Sequence, residues 1–211
     1  MKISKTLSRS VLLALAVAGF STAQANTITG NLWNVPEAVT FNAIPANVPL
    51  ATPDVVFDVN TPMNFFGTGV SVNTWLINGS AFNIVENTAG TLASLMDNGV
   101  VGTMLRFTGF VTVTNGQTFT VTHDDGLTLI IGGLDLGFNP GPTAPVTSTE
   151  TYNGPTGSFG FDLVYAECCG GPAVLQIDLP FSNTPVPEPG SLALIGLGLA
   201  GFGLRRRQRA G

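Results

Sequence analysis

The sequence predicts an all-β fold, an antiparallel β-sandwich whose first half is rich in loops. Glycine, proline, threonine and asparagine are abundant, and no long stretch of the 211 residues repeats apolar side chains at helical spacing. Short alternations of apolar and polar residues recur between turn signals instead, which is typical of sandwiches and barrels. We also expect an N-terminal signal helix before the sandwich and a short apolar helix after it.

Residues 1–25 have the three parts of a secretory signal peptide. Basic residues precede an apolar stretch at residues 11–19. Ala23 and Ala25 form a small-x-small cleavage site, so signal peptidase is expected to cut there and Asn26 to begin the mature chain. This segment is therefore not part of the folded domain.

Residues 26–90 are predicted to contain long loops and edge strands. Proline cannot donate to a sheet ladder, so within sheets it is found at edges, strand starts and bulges. Residues 90–98 have apolar side chains at helical spacing, but the stretch is short and we expect a single turn. Five prolines support the loop assignment: Pro36, Pro45, Pro49, Pro53 and Pro62.

The clearest strands lie in the second half of the chain. Residues 105–113 and 117–123 alternate apolar with polar or small side chains. Between them, Asn115-Gly116 predicts a hairpin turn of the primed type.

Further strands follow an Asp-Asp-Gly break. The apolar pattern resumes at residues 127–131. Residues 173–179 are predicted to pair with residues 159–165 across the intervening Cys-Cys-Gly-Gly-Pro loop. One face of the earlier strand of this pair carries Phe159, Phe161, Leu163 and Tyr165.

The predicted domain, residues 26–183, is more acidic than the whole chain. The whole chain has 8 basic and 13 acidic residues and a formal charge of −5. Within the domain Arg106 is the one lysine or arginine, and setting aside Glu188 leaves twelve acidic residues, so the net charge is about −11. This charge argues against nucleic-acid binding, because phosphate backbones would be repelled. It suits an extracellular protein that meets divalent cations.

Residues 184–211 combine a short motif, an apolar segment and an arginine-rich end. Pro187 and Pro189 favour extended chain. Residues 191–204 carry no charge and would measure about 21 Å as a helix, less than a bilayer span of about 20 residues. The arginines mark the end that stays cytoplasmic. This order predicts a transient inner-membrane anchor; a C-terminal helix of a soluble domain is the alternative, but no polar face supports it.

The tail resembles the PEP-CTERM sorting signal of Gram-negative bacteria, which an exosortase reads and cleaves. Val186, Pro187, Glu188 and Pro189 match the motif, and the expected apolar segment and arginines follow. The resemblance implies export through the inner membrane and processing near Pro-Glu-Pro. It also implies release or attachment at the cell surface or extracellular matrix, in association with exopolysaccharide and biofilm.

Residues 82–180 resemble the protective-antigen-type domain, a β-sandwich found in a bacterial toxin, in glycosidases and in yeast flocculins and adhesins. The resemblance rests on an order of elements rather than on one motif. A strand ending in Asp124-Asp125-Gly126 is followed by another strand, then by an aromatic strand around Tyr165 and a loop of small residues.

The second resemblance implies a Ca²⁺ site. In lectin-like members of that family, two adjacent aspartates joined by a cis peptide bond hold the ion. The resemblance assigns these aspartates to Asp124 and Asp125, a third side chain to Glu167, and backbone ligands to Cys169 and Gly171. Those members usually have asparagine where this chain has Glu167. Hard oxygen ligands suit Ca²⁺, but the alternative is that Asp-Gly is only a hairpin turn.

Cys168 and Cys169 are the only cysteines of the chain. Thiols tend to pair in the oxidising exported location, so a vicinal disulfide that stiffens the loop beside Glu167 is expected. Two free thiols or intermolecular bonds are the alternatives.

Catalysis has little support in the sequence. His123 is the only histidine and is expected to be structural, and no nucleophile elbow, P-loop or dinucleotide motif is present. Trp33, Trp75, Tyr152 and Tyr165 are expected in the core rather than on a sugar-binding surface. The sequence therefore predicts a non-catalytic, Ca²⁺-assisted binder of exopolysaccharide or another surface glycan. A purely structural matrix protein is the alternative, and an exopolysaccharide hydrolase is less favoured.

Overall fold

Two antiparallel β-sheets pack face to face in the computed structural model, which describes residues 27–178 and 180–182. The large sheet has the strand order β4-β2-β1-β5-β10-β7-β8, with β12 also paired to β5, and the small sheet has the order β3-β11-β6-β9. The predicted all-β sandwich is confirmed. The elements are β1 (Thr27–Pro36), α1 (Glu37–Thr40), β2 (Val55–Asn60), β3 (Met63–Thr68), α2 (Val72–Asn78), β4 (Phe82–Glu86), β5 (Val101–Val113), β6 (Gln117–Asp124), β7 (Leu127–Ile131), β8 (Leu134–Asp135), β9 (Val146–Tyr152), β10 (Gly157–Glu167), β11 (Pro172–Ile177) and β12 (Phe181–Ser182).

The core lies between the sheets and is rich in aromatic rings. Trp75 stacks on Phe65 and on Tyr165, with ring centroids 4.3 and 5.9 Å apart, and its indole N–H donates to the carbonyl of Ala173 at 3.0 Å. This hydrogen bond ties α2 to β11. The four large aromatic side chains that the sequence assigned to the core are all buried, so none of them offers a stacking surface to a sugar ring: Trp33, Trp75, Tyr152 and Tyr165.

A second, smaller apolar cluster covers the outer face of the large sheet. Met104 and Val164 point away from the main core and pack with Trp33, Ala43 and Val48. The segment that contains α1 and a short 3-10 helix therefore buries β5 and β10 on both faces. This packing holds the end of β10 where the candidate site begins.

The predicted hairpin at Asn115-Gly116 is wrong. β5 belongs to the large sheet and β6 to the small sheet, so the turn carries the chain across the sandwich. The N–H of Gln117 donates to the carbonyl of Thr114 at 3.1 Å, and Gly116 has a φ of 80° whereas Asn115 does not have a positive φ. A primed turn of type I′ requires positive φ at both central residues.

Two further connections that the sequence suggested as hairpins also cross between the sheets. β11 pairs with β3 and β6, so the predicted pairing of residues 173–179 with residues 159–165 is wrong. The Asp-Asp-Gly segment likewise leads from β6 to β7 in the other sheet, and it is not a hairpin turn. Alternation in a sequence shows which side chains face the core, but both sheets face the same core.

The first half of the chain is more ordered than its prolines predict. It contains four strands, and β1 lies inside the large sheet with Pro36 as its last residue. α2 was missed because it is short, although Ser71 caps it through a hydrogen bond from the Thr74 N–H and Val72 and Leu76 are buried at helical spacing. Residues 88–94 form hydrogen-bonded turns rather than a helix.

The segments predicted to direct export lie outside the described residues. These are the signal peptide at residues 1–25 with its cleavage site and mature start at Asn26, and the tail with its apolar segment at residues 191–204. Within residues 27–178 and 180–182, no helix has the length and apolar character needed to cross a membrane. The limits 26–183 of the domain stay a prediction.

Candidate metal-binding site

Two cross-sheet connections meet at one end of the sandwich. Asp124 pairs with Val174 in the small sheet, which brings the β6–β7 connection beside the loop between β10 and β11. The peptide bond between Asp124 and Asp125 is cis, as the family resemblance implies. Both side chains are only 3% exposed. A Cβ at Gly126 would lie 2.0 Å from the carbonyl oxygen of Pro140, so only glycine fits this close approach.

Asp125 is held by backbone donors on both carboxylate oxygens. Oδ1 accepts from the N–H of Thr143 at 3.0 Å, and Oδ2 accepts from the N–H of Cys168 at 2.8 Å. Its main-chain carbonyl lies 2.6 Å from Nδ1 of His123. A carbonyl can only accept, so Nδ1 carries the proton. Burial lowers the pKa of His123, and the neutral ring has a structural role in holding Asp125.

Tyr165 connects Asp124 with Glu167. Its hydroxyl hydrogen-bonds the main-chain carbonyl of Asp124 and lies 2.8 Å from Oε2 of Glu167. The phenol has one hydrogen and the carbonyl can only accept, so Tyr165 donates to Asp124. Glu167 completes this chain of hydrogen bonds as the donor when its carboxyl group is protonated.

The loop Cys168–Gly171 is fastened by three consecutive main-chain donors. The N–H of Cys168 reaches Asp125, that of Cys169 reaches Oε1 of Glu37 at 3.2 Å, and that of Gly170 reaches Oδ2 of Asp97 at 2.8 Å. Positive φ values of 66°, 69° and 119° at residues 169, 170 and 171 orient the main-chain groups of this loop. For Cys169, a residue with a Cβ, this region costs roughly 1–2 kcal/mol. Cys168 and Cys169 form the vicinal disulfide that the sequence predicted.

Sequence reasoning missed the two outer anchors of this loop. Glu37 lies 132 residues from Cys169 along the chain, and nothing in its neighbourhood marks it. Asp97 is followed by Asn98 and Gly99, which is a turn signal. This signal did not indicate that Asp97 would accept a hydrogen bond from the distant loop. Its Oδ1 accepts from the N–H of Gly99 at 3.1 Å while Oδ2 holds the loop.

Burial raises the pKa of all three carboxyl groups of the site. Burial, and then the charge of Asp125, raise the pKa of Asp124 to about 7. Burial also raises the pKa of Asp125, although its hydrogen bonds from Cys168 and Thr143 oppose this. Burial, with the charges of Asp125, Asp124 and Asp97, raises the pKa of Glu167 to about 9. The metal-free site therefore favours the protonated forms of Asp124 and Glu167.

No basic side chain offsets these charges in the part of the chain that the structure describes. Arg106 is its only lysine or arginine, and the guanidinium is paired with Asp162 through Nε–Oδ1 and Nη2–Oδ2 distances of 2.8 and 2.7 Å. A cation that binds oxygen is the group whose charge and ligand preference fit this set of donors.

The loop separates two cavities, and the predicted ligands divide between them. Asp124, Asp125, Cys169 and Gly171 line an outer cavity of about 380 Å³. Glu167 lines an inner cavity of about 190 Å³, together with Gly171. Four of the five predicted ligand residues therefore share one cavity, and Glu167 lines the other.

The tail carries a known sorting signal. A family model described as the PEP-CTERM protein-sorting motif matches residues 185–207, which include Pro187, Glu188 and Pro189. The motif identifies an exported chain that an exosortase processes. No curated protein matches the chain.

The body has the fold of PA14 domains, the protective-antigen-type domains that the sequence resembles. The PA14 domain of the antifreeze protein MpAFP superposes with a TM-score of 0.51 and 16% identity, over 80% of this chain and 98% of that one. A PA14 sugar-binding domain from an RTX adhesin superposes with the same TM-score and 19% identity, over 75% of this chain and 91% of that one.

Proposed function

We propose that the chain is an exported, non-catalytic module of the cell surface or extracellular matrix that binds a glycan with the help of Ca²⁺. One observation carries this proposal. Asp124, Asp125 and Glu167 are buried at one end of the sandwich without a basic partner among the described residues, beside a loop that two further carboxylates hold in place. A folded protein tolerates buried charges when they are paired or coordinate a metal.

The donor set assigns a role to each residue. Asp124 and Asp125 would supply carboxylate oxygens, and the carbonyls of Cys169 and Gly171, which line the same cavity, would add to the shell. Glu167, which lines the neighbouring cavity, would have to turn toward the ion to supply a third carboxylate. Bound Ca²⁺ would supply positive charge and open coordination positions for sugar hydroxyls. His123 and Tyr165 position the two aspartates through their main-chain carbonyls, which leaves His123 committed to structure rather than to catalysis.

The comparisons support the location and the ligand class. The sorting motif directs the chain out of the cell, where signal peptidase is expected to remove the leader and the exosortase the tail. A domain with the same fold in an RTX adhesin is described as sugar-binding. A matrix exopolysaccharide is the glycan that this location favours.

Thermal unfolding of the full chain in a mild non-ionic detergent tests the Ca²⁺ site. Adding 1 mM Ca²⁺ to the chelator-treated chain is expected to raise Tm by about 5 °C, because a ligand that binds only the folded state stabilises it. Asp124→Ala is expected to abolish this rise. Asp135→Ala removes an exposed carboxylate that, among the described residues, accepts from the N–H of Gly137; it is the matched control and should keep the rise in Tm.

The same preparation distinguishes binding from a structural role. Retention on immobilised bacterial exopolysaccharide is expected in Ca²⁺ and is expected to be lost in EDTA and in Asp124→Ala. A Tm that does not respond to Ca²⁺ would overturn the metal site. A Ca²⁺ response without retention of any glycan would favour a structural matrix protein stabilised by the ion.

A further inference from the structure

We propose that the vicinal disulfide Cys168–Cys169 is a redox-controlled latch on the loop that binds the metal. This inference rests on the proposed function, because the regulated property is Ca²⁺ affinity. The disulfide lies in the loop whose carbonyls at Cys169 and Gly171 are proposed as ligands, and it immediately follows Glu167.

The latch acts through the three consecutive N–H groups of the loop. Their acceptors are Asp125, Glu37 and Asp97, which come from three separate parts of the chain. All three N–H groups point correctly only while the backbone at residues 168–170 keeps one conformation. The loop thus determines both the position of its own carbonyls and the orientation of the Asp125 carboxylate.

The disulfide ring holds Cys169 at positive φ, a conformation that this residue would otherwise leave. Cys169 has a φ of 66°, which glycine adopts freely and residues with a Cβ do not. Gly170 and Gly171 tolerate their positive φ values without help. Opening the ring frees Cys169 to return to negative φ, which turns its peptide groups away from Glu37 and Asp97.

The disulfide is open to attack from solution on one side. Cys169 is exposed, whereas Cys168 is fully buried. A thiolate of a small dithiol attacks Sγ of Cys169, and the sulfur of Cys168 leaves and takes a proton. The second thiol of the reductant then displaces Cys169, so two protein thiols and one cyclic disulfide are formed and two electrons pass to the protein. The chain holds no other cysteine that could compete.

Reduction of the full chain by dithiothreitol, followed by two measurements, tests the latch. In the metal-free chain, the amides of Cys169 and Gly170 are expected to exchange hydrogen at least tenfold faster after reduction, because their acceptors Glu37 and Asp97 are lost. In calorimetric titration, the Ca²⁺ affinity is expected to fall about tenfold, the usual effect of removing support from metal ligands. Reoxidation should restore both values.

The double substitution Cys168→Ser/Cys169→Ser is the matched control. It should bind Ca²⁺ as weakly as the reduced chain and should not respond to the reductant; if it does not fold, reduction and reoxidation of the native chain decide alone. Equal affinity before and after reduction would overturn the latch but leave the proposed function standing. Absence of Ca²⁺ binding in both forms would overturn both, and unchanged exchange rates would show that the ring does not hold the loop.

Discussion

Replacing Asp125 with alanine is expected to lower the free energy of unfolding of the metal-free chain by about 3 kcal/mol. Both carboxylate oxygens accept main-chain N–H groups, one from the half-buried Thr143 and one from the buried Cys168. Alanine would leave both donors without a partner, and each hydrogen bond to a charged group contributes about 1.5–3 kcal/mol. Relief of repulsion with Asp124 offsets part of the loss. Urea unfolding in EDTA measures the change.

Asp124→Ala is the control that separates structure from metal binding. Among the described residues, no main-chain N–H donates to the Asp124 carboxylate, so its removal is expected to cost less than about 1 kcal/mol in EDTA. Both variants should nevertheless lose the stabilisation by Ca²⁺. Equal losses of metal-free stability in the two variants would contradict the assignment of Asp125 as the structural member of the pair.

Raising the pH from 6.5 to 9 is expected to destabilise the metal-free chain by roughly 3 kcal/mol. The Glu167 pKa is about 9 in the folded chain, against an ordinary value of 4.5 for a glutamate in an unfolded chain. Between these two pKa values Glu167 has lost its proton in the unfolded chain and keeps it in the folded chain. The contribution of Glu167 to stability is therefore fully present below pH 4.5 and decreases until the pH reaches about 9. Asp124, with a pKa of about 7, adds to this pH dependence of stability only below pH 7.

Glu167→Gln tests whether Glu167 causes this pH dependence of stability. The amide cannot titrate and can still donate to Tyr165, so the variant should have nearly constant stability from pH 7 to 9 in urea unfolding with EDTA. An unchanged slope in this variant would show that another group titrates. With Ca²⁺ present, Glu167 must release its proton to become a ligand, so we expect metal affinity to rise over the same range.

The sequence predicted the centre of the site better than its surroundings. Asp124 and Asp125 could be singled out because they are adjacent and because the order of strands around them resembles a known domain. The sequence could not show to which sheet each strand belongs. Both sheets face the same core, so strands of either sheet alternate apolar and polar residues in the same way. The crossing of β6 to β7 is what removes the hairpin interpretation of Asp-Asp-Gly.

The sequence could not identify the residues that hold the loop in place, because their contacts are with distant parts of the chain. Glu37 reaches the loop from α1, and Asp97 reaches it from a turn 73 residues before Gly170. Each looks like an ordinary surface acid in the sequence. Their roles appear only when three connections from both sheets meet at one end of the fold. Tyr165 was recognised as a core residue, but its hydroxyl also joins Glu167 to Asp124, a role that its side-chain type does not reveal.

The position of β12 gives the molecule a direction. Phe181 pairs with Val111 near one end of β5, whereas Glu167 lies opposite Thr103, eight residues away along the same strand and therefore about 26 Å distant. The last described residues therefore lie at the end of the sandwich that is remote from Asp124. If the predicted tail anchors the chain, we expect the candidate site to lie away from the point of attachment.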